Sequence, residues 1–415
     1  MSRSTGLALA VSMIVSLPLA VACVEPLAPS DAALDAGTDH DAHAIPDAFA
    51  AQDAPRAPDA GAPADLQGAI DYWTVAGSLA GVAALAADED TRIVVTSGMA
   101  TETGPVGEHT LFNVASISKT FTCALALSLV EEGILDLDAP LSEIVPEVAI
   151  VHPDHPEIPV TTRMLLAHTS GLVDDFVFLD DYISTGTGDP RVDFEQFTRE
   201  YVADASHWGA APGTRRAYCN ANYGLLGLVI ESVSGRDFRE LSRERLFDPL
   251  ELDGAGWFFG DIELDRVATP YSGTRRGYTA LDHHQYAFYP ASSLMISVAG
   301  LERWLRLHRD LGLLDGTRYF EESSIAETRR AQYPDIDDAQ FLTWYAESTR
   351  GQRFVGHSGS SFGTSAQARY RAENGRILIV LSNSDAYIRS RVGIEEGAVA
   401  IRAILDRLDA ELDAR

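Results

Sequence analysis

The order of apolar and polar positions divides the chain into three stretches of unlike character. Residues 1–23 hold Arg3 and an apolar run from Leu7 to Ala22, residues 24–66 are dominated by Ala, Asp and Pro, and from Gln67 onward apolar residues recur with regular periods. Ala69–Leu79 repeats them at helical spacing. Gly81–Ala87 and Arg92–Ser97, on either side of the polar Asp88–Thr91, read as a β-hairpin. Phe121–Val130 is apolar nearly all round and the run stops at Gly133, as a buried central helix does. Further helices are predicted at Thr162–His168, Tyr223–Gly235, Leu301–Leu311 and Glu395–Leu412, and strands at Phe354–Val355, Ala366–Arg371 and Arg376–Leu381. Strand signals therefore lie at both ends of the globular part, with mostly helical matter inserted at roughly 141–300, which predicts an α/β fold.

Charge and composition narrow the functional classes. The chain has 415 residues, of which 46% are hydrophobic, enough for a large core. A net charge of −29 argues against nucleic acid or an anionic membrane surface as an electrostatic partner, and an anionic substrate would need a local cation. Three cysteines, Cys23, Cys123 and Cys219, are too few for a disulfide scaffold, and no cysteine or histidine spacing matches a zinc site, so no metal or cofactor is expected.

The amino-terminal stretch reads as an export signal ending in Leu19-Ala-Val-Ala22-Cys23. That ending resembles a bacterial lipobox, which implies cleavage before Cys23 and a lipid on its sulfur; ordinary signal-peptidase cleavage is the alternative. Residues 24–66 bury too little apolar surface to offset their ordering entropy and are expected to form a disordered, self-repelling tether. His40 and His43 belong to that solvated segment. Export to the periplasm or cell surface as a membrane-anchored lipoprotein is the expectation.

One cation stands apart: of 32 Lys and Arg residues, only Lys119 is a lysine. Guanidinium does not give up its proton, whereas a lysine can serve as a base. Lys119 follows Ser116 by three positions, which on a helix puts both side chains on one face, at the amino end where dipole and free N–H groups favour negative charge. Two further polar clusters sit against apolar elements, Tyr218-Cys-Asn220 before the helix at Tyr223 and His357-Ser358-Gly359 amid a strand signal. Taken singly, Tyr218 could be a core aromatic, Asn220 a helix cap and His357 a structural hydrogen-bonding group.

Together the three clusters, in this order, resemble the Ser-x-x-Lys, Tyr-x-Asn and His-x-Gly motifs of the serine β-lactamase and penicillin-binding-protein superfamily. Leu165-Leu-Ala-His-Thr-Ser-Gly171, Val267–Tyr271 and Tyr289–Ser297 resemble stretches of its class C-like group of esterases, D,D-carboxypeptidases and β-lactamases, so the likeness covers nearly all of 67–412. It implies an α+β fold, an antiparallel sheet built from both chain ends and flanked by helices, with Tyr218 on a helical insertion. It also implies acyl transfer through an acyl-Ser116 intermediate, with Lys119 and Tyr218 handling protons, backbone N–H groups of Ser116 and Ser360 as oxyanion hole, and Asn220, His357, Ser358 and Gly359 contacting substrate. Of the remaining histidines, His168 reads as structural and the His283-His284 pair as loop surface or pocket rim.

His357 stands where class C β-lactamases carry lysine, so efficient β-lactam hydrolysis is not expected, and a small-molecule or peptide ester or amide is the expected substrate. Gly356-His-Ser358-Gly-Ser360 lacks the final glycine of a nucleophile elbow, which excludes an α/β-hydrolase reading. Cys219 lies inside Tyr-x-Asn and Cys123 one turn beyond Lys119; a disulfide between them is conceivable, two buried thiols more in keeping with the sequence. The alternative to an enzyme is a catalytically silent relative acting as a surface scaffold or binding lipoprotein.

Overall fold

The structure is a computed structural model that describes residues 61–274, 276–349 and 352–415. The apolar leader, Cys23, His40, His43 and the tether as far as residue 60 lie outside the described residues. The globular part opens with helix α1 (Leu66–Ala76), whose start is set by the Asp65 carboxylate accepting from the Gly68 N–H at 2.7 Å. It ends earlier than its apolar spacing predicts, because Gly77 and Ser78 (φ 55°) turn the chain into the first strand.

That strand, β1 (Gly81–Ala87), pairs with β2 (Arg92–Thr101) as the hairpin pattern predicts, and β3 (Gly104–Pro105) extends that edge. The other strands come from the carboxyl end: β4 (Tyr345–Thr349), β5 (Gln352–Ser361), β6 (Thr364–Arg371) and β7 (Arg376–Ser382). The seven form one antiparallel sheet in the order β4-β5-β6-β7-β1-β2-β3, so the chain ends meet where β7 pairs with β1. Strand β5 is longer than the apolar pair Phe354–Val355 predicts. Its polar half, His357–Ser361, is fixed by backbone pairing to β6 from His357↔Ala368 to Ser361↔Thr364, which side-chain polarity does not reveal.

Both sheet faces are covered, and the alternation along β1 and β7 shows it. Val82, Ala84, Ala86, Leu378 and Val380 join Ile70 and Trp73 of α1 and Ile401, Ile404 and Leu408 of the terminal helix in one core. Ala83, Leu85, Ile377, Ile379 and Leu381 face a second, larger core containing Phe121 and Trp304. Helix α2 (Ser118–Glu131) carries Phe121, whose ring stacks on Trp304 at 4.0 Å. Full burial of each such side chain contributes about 1.5–3 kcal/mol, which fixes α2 beneath the sheet.

The insertion holds α3 (Phe176–Asp180) and α4 (Ala221–Ser234), along with a helix at Thr162–Leu166 that stops short of His168 because His168 adopts φ 57°. It also contains short strand pairs, among them Ile183–Thr185 with His284–Tyr286. Beyond it lie α5 (Val298–Arg309), capped by Ser297, then α6 (Ala386–Ser390) and α7 (Glu396–Asp413).

Candidate active site

Ser116 sits in a tight turn, Ala115–Ile117, that runs directly into α2. Ala115 adopts φ 45°, a left-handed conformation costing roughly 1–2 kcal/mol for a residue with a Cβ. Two bonds hold it there: the Asn113 side-chain oxygen accepts from the Ala115 N–H at 2.6 Å, and the Val114 carbonyl accepts from the Ile117 N–H at 3.1 Å. The result is a serine presented at the amino end of a seventeen-residue helical stretch, 115–131, rather than wrapped into it.

Lys119 is fully buried, and its Nζ lies 3.1 Å from Ser116 Oγ, 2.8 Å from Asn220 Oδ1 and 2.8 Å from the Ala291 carbonyl oxygen. A neutral amine has two N–H donors and one lone pair. Once Lys119 has given up a proton, Asn220 and Ala291 can each accept one of its remaining hydrogens and the lone pair can face the Ser116 hydroxyl. The Ala291 carbonyl arrives there because the segment after Tyr289 is laid along α2: Thr122 Oγ1 donates to the Pro290 carbonyl at 2.8 Å and Ser118 Oγ accepts from the Leu294 N–H at 3.0 Å.

Asn220 occupies the capping position of α4, yet its side chain makes no capping bond. It is turned by Asp174, whose carboxylate accepts from Asn220 N and Asn220 Nδ2, both at 2.6 Å, and from Ala221 N at 3.3 Å. With the amide nitrogen committed to Asp174, the amide oxygen must face Lys119. Burial pushes the Asp174 carboxyl upward, while the N–H groups of Ala221 and Asn220 and the charge of Lys119 pull it down. Asp174 carries no motif signal and was invisible in the sequence.

Tyr218 lines the cleft, with Lys119 Nζ 5.1 Å from its ring centre. The Tyr218 ring also stacks on His168, with 4.3 Å between ring centres. His168 also accepts the Cys219 N–H on Nδ1 at 3.1 Å, and its carbonyl accepts the Ala217 N–H at 2.8 Å, so it brackets the Tyr-x-Asn turn. His168 is thus a structural group packed directly against the Tyr-x-Asn turn. Of the His283-His284 pair, His284 is not on a surface loop but buried in a strand, with Nε2 2.9 Å from Ser361 Oγ, and both histidines line a small pocket beside Phe362, in keeping with the rim reading.

From the sheet, His357, Ser358 and Ser360 line the same cleft, and Gly359 lets β5 approach the Ser116 turn. A Cβ on Gly359 would lie 2.1 Å from the Val114 carbonyl oxygen. His357 donates Nδ1–H to the Ser358 carbonyl at 2.7 Å; burial, joined by the charge of Lys119, pushes its pKa down to about 3. It is a neutral group at any ordinary pH. Cys123 and Cys219 are separate, buried free thiols, and burial pushes Cys123 up to about 12.

The cleft measures about 160 Å³. Phe176, Leu179, Ile183, Tyr286 and Phe288 line it along with the polar groups, and Arg391 brings a cation to its wall. Among the described residues no cluster of His, Cys, Asp and Glu is arranged to hold a metal ion.

The sequence matches the Beta-lactamase family over residues 31–400, and the chain belongs to that family, whose members and relatives point to serine hydrolase activity in general. Among its relatives, penicillin-binding protein 4 of Amycolatopsis lactamdurans is 28% identical over 289 residues, 67% of this chain and 73% of that one. Lovastatin esterase of Penicillium rubens is 31% identical over 166 residues, 35% of this chain and only 39% of the esterase. Among solved structures, a D-stereospecific amidohydrolase from Streptomyces sp. superposes with a TM-score of 0.62 at 25% identity, covering 77% of this chain and 94% of that one.

Proposed function

We propose that the protein hydrolyses esters or amides through an acyl-Ser116 intermediate. The observation that carries this reading is the 3.1 Å contact between Ser116 Oγ and the buried Lys119 Nζ, which also meets two acceptors, Asn220 Oδ1 and the Ala291 carbonyl oxygen. The Lys119 lone pair takes the hydroxyl proton as Oγ bonds to the substrate carbonyl carbon. Backbone N–H groups of Ser116 and Ser360 receive the oxyanion, each worth about 3 kcal/mol in the transition state. Collapse breaks the bond to the leaving group, which takes the proton by way of Tyr218; water then repeats the sequence on the acyl-enzyme. Asn220 holds Lys119 and a substrate polar group, while His357, Ser358 and Gly359 shape the opposite wall.

The relatives include an esterase and a D-stereospecific amidohydrolase, so the choice between ester and amide rests on the cleft itself. The leader and Cys23 support export and lipid anchoring; labelling with an alkyne fatty acid in a bacterial host, lost in Cys23→Ser, tests that. Fluorophosphonate labelling tests the chemistry. Wild type takes one label at Ser116, Ser116→Ala none, and Lys119→Arg, which keeps the charge and loses the base, is slowed by at least about a hundredfold. Labelling of Lys119→Arg near the wild-type rate refutes this assignment of the base, and no label on wild type leaves the silent-scaffold alternative.

A further inference from the structure

The cleft's polar floor is accounted for by the hydrolase reading, but its mouth is not. Three segments far apart in sequence contribute apolar side chains to the cleft, and each also carries an exposed apolar side chain. The first is α3 and the strand after it, where Phe176 and Leu179 of the helix and Ile183 of the strand line the cleft and Val177, next to Phe176 in the chain, is 81% exposed. The core needs none of Val177, since Phe178 on the same helix packs inward against Tyr182, Phe197 and Tyr201.

The second is the tip of the β5–β6 hairpin. Ser361 pairs with Thr364, leaving Phe362 and Gly363 as a two-residue turn, with Gly363 at φ 63°. Such turns ordinarily carry Gly, Asn, Asp or Ser. Phe362 instead puts a phenyl ring there, lining the cleft while half exposed, its inner side against His284 at 5.8 Å. The third segment follows α6: Ile388 and Arg391 line the cleft, and the N–H groups of Val392 and Ile394 fold back onto the Arg389 carbonyl, both at 3.1 Å. Val392 is 74% exposed.

Of the eleven exposed large apolar side chains among the described residues, four (Val177, Phe362, Val392 and Ile394) belong to these three segments. Apolar side chains from three segments lining a cleft beside a candidate nucleophile mark where a ligand is desolvated. A net charge of −29 speaks against this rim being laid on an anionic surface.

Resting on the hydrolase reading, we propose that the substrate is an ester with a medium-chain aliphatic acyl group. The carbonyl sits at Ser116, the chain runs along Phe176, Leu179 and Phe288, and its end is covered by Phe362 and Val177. Hydrolysis cleaves the acyl carbon–oxygen bond, adds water, and releases the fatty acid and the alcohol.

The test is a p-nitrophenyl ester series from acetate to octanoate on the wild-type chain, with calorimetric binding of the acetate and octanoate esters to Ser116→Ala. Each methylene buried raises affinity about fourfold, so kcat/KM for octanoate exceeds that for acetate by about tenfold or more, and octanoate binds Ser116→Ala the more tightly. In Phe362→Ser and Val177→Asp, both on exposed positions and checked for native melting, the octanoate-to-acetate ratio falls severalfold. A ratio that is flat or declines along the series, with acetate still turned over through Ser116, overturns the acyl-chain assignment and leaves the hydrolase reading standing. Absence of turnover of every ester, with or without preferential octanoate binding, overturns the ester assignment; fluorophosphonate labelling of Ser116 in the same preparation then shows the hydrolase reading standing, and no label shows that it falls as well. If Val177→Asp converts a dimer to a monomer in sedimentation and leaves the ratio unchanged, the rim belongs to a second copy of the chain and the proposal is overturned.

Discussion

Replacing Gly359 by alanine should disable the site while sparing the fold. A Cβ there would stand 2.1 Å from the Val114 carbonyl oxygen, whereas Cβ contacts below 3.0 Å are essentially never seen, so strand or turn must give way by about 0.9 Å. The strand is pinned on its other side by β6, through the pairing Gly359↔Ala366, and the Val114 carbonyl accepts the Ile117 N–H that closes the turn bearing Ser116. The displacement is therefore taken up between Ser116 and Ser360, the two proposed oxyanion donors. Misplacement by about 1 Å costs on the order of a hundredfold in rate, and loss of one donor about 2.7–4 kcal/mol. Overpacking itself costs about 1–3 kcal/mol of stability. The expected result for Gly359→Ala is a fall of about 100- to 1,000-fold in kcat on p-nitrophenyl acetate, a small change in KM, and a folded protein melting a few degrees lower. Gly188→Ala, where an added Cβ meets nothing within 4 Å, serves as control. A folded Gly359→Ala enzyme within about threefold of wild type would refute the argument that this glycine sets the distance between strand and nucleophile.

Asp174→Asn puts one amide N–H against the donors that the carboxylate now accepts, so Asn220 loses its orientation toward Lys119. A loss of about 1–3 kcal/mol is expected, seen as a roughly 10- to 100-fold drop in kcat; unchanged kcat would detach Asp174 from the site. His308, buried between Trp304 and Trp344, is pushed down to about 3 by burial and by the charge of Arg329. An unfolded histidine titrates near 6.5, so His308 contributes its full stability above that pH and loses it as pH falls toward 3, by about 1.4 kcal/mol per unit. Urea melts should show wild type losing stability relative to His308→Gln by that slope between pH 6 and 4, and parallel curves would contradict it. Cys123 and Cys219, both buried, should resist alkylation in the native protein and react after denaturation, as peptide mapping would show.

Sequence alone determined the parts whose physics is local. Hydrophobic period marked β1, β2, β7, α2 and the terminal helix, and a lysine three residues from a serine at a helix start already fixed which two side chains could touch. The three motifs named the catalytic candidates, and the cleft gathers Ser116, Tyr218, Asn220, His357, Ser358 and Ser360. Tertiary structure decided what aims them. Asn220 reaches Lys119 across 101 positions, the Ala291 carbonyl across 172, and Asp174 reaches Asn220 across 46. No repeat or spacing encodes such pairs, because they follow from how α2, α4 and the segment after Tyr289 pack together. The reason for Gly359 was likewise hidden: a glycine in a strand signals close approach, and only the folded chain shows that what approaches is the carbonyl of Val114.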